Sequence, residues 1–223
     1  MRIITNELTS HQMKIGKYSS LTVFFLLLIY VLVTMLGLLS LETPSDPISD
    51  PYFTLMELLI LIIAPLILIV MVIINAYADF ETKIYGKIAV LFMTIMTAIT
   101  SCVHFSILSL SRKSEFSDIA FIQLFFSFKW PSVVYVLDIL AWDFFFAISF
   151  LFGSLVFNNG KLGKAVKILM IISGILSLIG LLGVPLNNMQ IRNVGIVGYA
   201  IITLPIFLLL SKIFNSVNIV NRS

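Results

Sequence analysis

Residues 132–157 read SVVYVLDILAWDFFFAISFLFGSLVF, an unbroken apolar run that holds two carboxylates, Asp138 and Asp143. The run exceeds the roughly 20 residues an α-helix needs to cross the hydrocarbon of a bilayer. A charged side chain is expensive there unless protein or water solvates it, so both aspartates should face the interior of a bundle. One stretch of sequence thus calls for a membrane and for other helices around it.

Working outward, five more runs of the same kind complete a set of spans at 21–41, 54–78, 88–110, 132–157, 168–186 and 194–214. The chain is 60% hydrophobic and only 11% charged, with mean hydropathy +1.10. A water-soluble domain carries about 25% charged residues. The expectation is an all-α, polytopic six-helix transmembrane bundle over residues 21–215, flanked by a cytoplasmic segment 1–20 and a cytoplasmic tail 216–223. The first span follows Arg2, Lys14 and Lys17, as a signal peptide would, but its apolar core is too long and no small-residue cleavage site follows. It reads as a retained helix.

Orientation follows from the basic residues on alternate sides of the spans. Ten of the 14 Lys and Arg fall on the side of the N-terminus, while Arg112, Lys113, Lys129 and Arg192 fall on the other. Both termini are therefore placed in the cytoplasm, and the loop with Glu42, Asp46 and Asp50 outside. The pI near 9.0 reflects a net charge of only +3 spread over loop edges, so no nucleic-acid partner is expected.

Between spans three and four, residues 116–129 are too short an apolar segment to cross, but Phe121, Phe125 and Phe128 share one helical face. This predicts an amphipathic helix in the outer interface, with Trp130 anchored among headgroups and Pro131 opening the next span. A re-entrant segment is the alternative. The Phe face suits lipid or a membrane protein partner.

Polar residues in the spans are the candidates for chemistry. His104 and Asp138 each lie about six residues from the outer ends of adjacent spans, so both sit roughly 9 Å deep and can meet. Thr94, Thr97, Ser101 and His104 recur at helical spacing and predict one polar face. Asp143 is five residues beyond Asp138, about 140° around an α-helix, which points the two carboxylates apart. It is read as a deeper proton or ligand site beside Trp142, with Ser173 or Ser177 as partners. Glu57 has capping-box spacing from Thr54, or else joins His104 or Arg192. Arg192, in the amide-rich turn NNMQIRN, is either a solvated interfacial arginine or a counter-charge for Asp138 or Glu57. The His104–Asp138 pair can equally be plain interhelical glue. Ser173, Ser177 and Gly180 form a small-residue packing stripe, and Pro65 and Pro205 interrupt their spans.

Several chemistries are excluded. No lysine lies inside a span to carry a retinal Schiff base, the only other histidine, His11, precedes the spans, and no G-x-S-x-G motif is present. The single cysteine, Cys102, rules out an internal disulfide and multi-cysteine metal sites. No cofactor or metal is expected.

The stretch from LDILAWDFFF through GILSLIGLLG to RNVGIVGYAIITLPIFLLL, about the last 90 residues, resembles a family of uncharacterised bacterial multi-pass inner-membrane proteins with no assigned activity. Trp142-Asp143, Arg192-Asn193 and the pair Gly195 and Gly198 before Tyr199 carry the likeness. The resemblance implies a bacterial inner-membrane address and no mechanism. Three functions remain open on the residues alone. The first is binding or transport of a small polar molecule at His104, Asp138, Asp143, Arg192, Glu57, Ser101 and Trp142. The others are an intramembrane enzyme on a lipid or isoprenoid with His104 as base, and a non-catalytic partner docking through the Phe face.

Overall fold

The computed structural model describes residues 9–43, 46, 48–110 and 120–216, in which every regular element is helical. Six helices are long and apolar enough to cross a membrane. They are α1 (Ser10–Leu39), α2 (Tyr52–Tyr77), α3 (Lys83–Leu110), α5 (Val133–Ser154), α6 (Gly160–Leu181) and α7 (Met189–Ser216), with a short α4 (Ala120–Phe126) between α3 and α5. The chain is thus built as a multi-pass membrane protein.

Helix boundaries exceed the apolar runs where caps extend them. α1 begins at Ser10 rather than near 21, because Thr9 and Gln12 satisfy each other's backbone N–H, at 3.2 and 2.9 Å. Residues 10–20 are therefore the first turns of the helix rather than a separate segment. α5 starts at Val133 behind an N-cap at Ser132, whose hydroxyl accepts from Tyr135 N–H, so Pro131 precedes the helix instead of opening it. Arg112, Lys113 and residues 116–119 lie outside the described residues, as do 217–223 of the tail.

Successive spanning helices pack side by side, and α7 closes the ring by packing against α1. The α1–α7 contact is concentrated along Thr203–Ser216. There Gly16 lets α1 approach so closely that an added Cβ would stand 2.8 Å from both Ile73 and Phe214. Towards Met189–Ile201 the two helices diverge. Inside the closed half lies the core, with Phe146, Phe150, Phe207, Ile67, Met71 and Met93 almost wholly buried and the rings of Phe146 and Phe150 4.0 Å apart. Between helices in lipid, such packing and interhelical hydrogen bonds replace the hydrophobic effect as the cohesive force. Ser149 supplies one, donating to Ala89 C=O at 2.7 Å. Ser149→Ala is expected to lower stability by about 0.6–1.7 kcal/mol, read by thermal melting in detergent.

The α2–α3 turn is tied by Asp79, whose carboxylate accepts from Thr82 Oγ1 at 2.6 Å and Thr82 N at 2.9 Å. The Thr82 hydroxyl bond, then its N–H, holds the Asp79 carboxyl below its ordinary 3.8. A carboxyl depressed in the folded state stabilises it above that ordinary value and loses the effect as pH falls through the lower folded one. Thr82→Val should move the Asp79 titration back up toward 3.8, measured by side-chain NMR.

Two spanning helices are not α-helical throughout. α5 passes through a π-helical segment at Leu140–Phe146, and α7 through another at Val197–Ile201. Such segments, closed by i→i+5 bonds, cluster at functional sites. Both lie beside the part of the ring where α1 and α7 separate.

Candidate functional site

Four helices bring charged side chains to one place. Glu57 from the start of α2, His104 from the end of α3, Asp138 from the start of α5 and Arg192 from the start of α7 are all buried. Counting 1.5 Å per residue, they sit between roughly 4 and 9 Å below the helix ends. They form a linear chain of opposite partners. Glu57 Oε2 lies 2.6 Å from His104 Nδ1, His104 Nε2 lies 3.3 Å from Asp138 Oδ1, and Arg192 Nη2 donates to Asp138 Oδ2 at 2.7 Å. Arg192 Nη1 also donates to the Tyr135 hydroxyl at 3.1 Å, with the guanidinium 4.5 Å from the Tyr135 ring centre. Mutual solvation of this kind is how a membrane interior accommodates ions.

Asp143 joins the same group through the π segment. An α-helix would turn residues five apart about 140° away from each other, whereas a π turn returns them to one face. Asp143 Oδ2 accordingly stands 3.9 Å from Arg192 Nε. The expectation that the two aspartates diverge is overturned, because it assumed α-helical phase. Asp143 is fully buried, and neither of its oxygens nor Arg192 Nε has a hydrogen-bond partner among the described residues.

The approach of α7 is set by glycine. Gly180 on α6 lies against Gly195, and Gly198 against the backbone of Ser173 and Ser177, so α6 and α7 meet almost backbone to backbone. Gly195 in turn touches the Asp143 carboxylate. Ser173 donates to Gly198 C=O at 2.9 Å and Ser177 Oγ has no hydrogen-bond partner among the described residues, so neither serine solvates Asp143.

Other residues fall differently from their sequence reading. Thr54 bonds Asp50 through N and Oγ1, at 3.2 and 2.6 Å, leaving Glu57 to His104 instead of a capping box. Arg192 is helical, buried and paired, not a solvated loop residue, because Asn188 caps α7 before it. On α3, Thr94 is exposed and bonds its own Val90 C=O, Ser101 is half-buried, and Thr97 and Thr100 face inward. The polar stripe is thus split: Thr97 and His104 share the inner face with Thr100, Met93, Met96 and Val103, while Thr94 and Ser101 lie off it. Pro65 is exposed on α2. The Phe face divides: Phe121 is exposed and its ring lies 5.0 Å from that of Phe125, but Phe128 lies beyond the end of α4 and packs on Phe53, His104 and Tyr135.

Beside the charged chain opens a cavity of about 520 Å³. Glu57, His104, Asp138, Arg192 and Asn193 form its polar part, and Leu27, Tyr30, Ile60, Trp142 and Tyr199 contribute to apolar walls. Trp142 is held against Tyr199, ring centres 5.1 Å apart. Tyr30, Thr34, Tyr135 and Tyr199 were not singled out as site residues by sequence, although polar rings inside apolar spans were a readable signal.

Fold and site define a polytopic α-helical membrane protein with buried ionisable side chains along one wall of a cavity. No family model, curated protein or solved structure matches the chain.

Proposed function

We propose that this membrane protein binds, or carries across the bilayer, a small molecule held in the cavity of α1, α2, α3, α5 and α7, with the Glu57–His104–Asp138–Arg192 chain as its polar floor. The observation that carries the reading is the juxtaposition of a ligand-sized void with four buried ionisable groups, an arrangement of apolar walls and few convergent polar groups common to ligand sites. An intramembrane enzyme with His104 as base is less well supported. His104 and Asp138 are close enough, but both ring nitrogens face carboxylates, so neither lone pair is directed at a substrate.

The test is to fill the void. Thr34 lines it and spends its hydroxyl on its own helix, at Tyr30 C=O, so Thr34→Trp adds bulk without stranding a polar group. Wild-type protein in native nanodiscs is expected to release a bound small molecule on denaturation, detected by mass spectrometry, and Thr34→Trp to release none. Equal release from both proteins would overturn the proposal, as would none from the wild type.

The basic-residue balance and the family likeness support a bacterial inner-membrane location with both termini cytoplasmic. A fluorescent protein that folds only in the cytoplasm, fused after Ser223, should then fluoresce, and an alkaline phosphatase there should stay inactive.

A further inference from the structure

Resting on that cavity, we infer that its ligand is an uncharged long-chain alcohol that enters sideways from the bilayer between α1 and α7. The mouth is the first observation. The cavity reaches the outer surface of the bundle at Met35 and Leu38 of α1 and Val197 and Ile201 of α7, which are 54, 55, 44 and 43% exposed. These four positions lie where α1 and α7 have parted, and α7 there is π-helical. Val197 is eight residues into its helix, roughly 12 Å below the helix end, a depth occupied by acyl chains in a bilayer whose hydrocarbon is about 30 Å thick. At the helix ends, Ile48 packs over Gly37 and lines the cavity, so α1 is covered there by an apolar side chain.

The head group is chosen by the floor. Three carboxyl groups, Glu57, Asp138 and Asp143, surround one arginine, and Arg192 is already committed to Asp138 and Tyr135. His104 is likewise placed between Glu57 and Asp138, so among the described residues of the site no cation is left over for a carboxylate or phosphate head, which would enter against three acidic groups. Two buried atoms that border the cavity lack hydrogen-bond partners among the described residues: His104 Nε2 and Asp138 Oδ1. One is placed to donate and the other accepts, 3.3 Å apart. A hydroxyl does both jobs at once, donating to Asp138 and accepting from His104, while its chain runs out between Val197 and Met35.

The probe is hexadecanol carrying a mid-chain diazirine, compared with the matched hexadecanoic acid, hexadecyl phosphate and hexadecylamine, in phosphatidylcholine nanodiscs. After irradiation, peptide mass spectrometry is expected to place the alcohol on residues 31–38 and 196–201, with labelling abolished by excess plain hexadecanol. The acid and the phosphate should label these segments about tenfold less, the worth of one lost hydrogen bond to a charged group. Val197→Trp, a change on the lipid-facing rim, should lower alcohol labelling by a similar factor at unchanged melting temperature. Equal or stronger labelling by the acid, the phosphate or the amine overturns the head-group assignment, and alcohol labelling that is diffuse or indifferent to Val197→Trp overturns the lateral route. These failures are separable from failure of the binding proposal: if Thr34→Trp still empties the protein of its small molecule, only the identity and path of the ligand fall.

Discussion

Arg192→Met is expected to cost about 3–5 kcal/mol of stability, because it leaves Asp143 buried with no cation beside it and Asp138 with His104 alone. That loss is a large fraction of what holds a protein of this size together, so most of the variant should fail to appear as a monodisperse peak after extraction. Arg192→Lys keeps the charge but presents a point rather than a fork, so it cannot reach Asp138, Tyr135 and Asp143 together and should fall in between. The deficit should be recoverable. Exchanging a buried ion cluster for apolar residues of similar size is often neutral or stabilising, so Arg192→Met combined with Asp138→Leu and Asp143→Leu should melt near the wild type. The same triple variant should lose the small molecule, since its polar floor is gone. An Arg192→Met single variant melting at the wild-type temperature would show that the carboxylates are solvated some other way, and would remove the electrostatic account of the site.

Gly195→Ala is the second large effect. The added methyl would fall inside the contact radius of Asp143 Oδ1, 3.2 Å from Asp143 Cγ and 3.3 Å from Gly180 Cα. The carboxyl on one side is fully buried and α6 backbone lies on the other, so the strain has little room to relax. Overpacking of this kind costs about 1–3 kcal/mol. Its origin is separable by a double-mutant cycle: Asp143→Ala in the Gly195→Ala background removes the clashing oxygens and should restore stability beyond additivity. Gly180→Ala clashes with the Gly195 backbone at 2.7 Å and should gain nothing from Asp143→Ala. Thermal melting of the three single and two double variants decides it. Additive losses throughout would mean that Gly195 does not position Asp143.

These two experiments address residues whose importance was only partly readable in the chain. Asp138, Asp143 and His104 announce themselves as ionisable groups in hydrocarbon-length runs, and they do lie buried together. Arg192 and Glu57 did not stand out in the same way. Each sits near a helix end, where capping and solvation are the commoner fates, and nothing in the local sequence says that Thr54 is taken by Asp50 or that Asn188 starts α7 early enough to bury an arginine four residues later. Half of the stripe on α3 misled, because threonine and serine in apolar helices often bond their own backbone. Thr94 does so, and its polarity says nothing about which way it faces.

What one dimension carries, the chain determined by itself: six helices, their order and their membrane-crossing length, because a bilayer demands a contiguous apolar stretch and a stretch is a property of consecutive residues. Which carboxylate meets which cation was decided only in three dimensions. Residues 57, 104, 138 and 192 become neighbours through ring closure, through glycines that let α6 and α7 touch, and through a π turn that moves Asp143 onto the face of Asp138. A single inserted π register rotates every later side chain, and that phase is set by the packing of the bundle, not by the hydropathy of the helix that contains it.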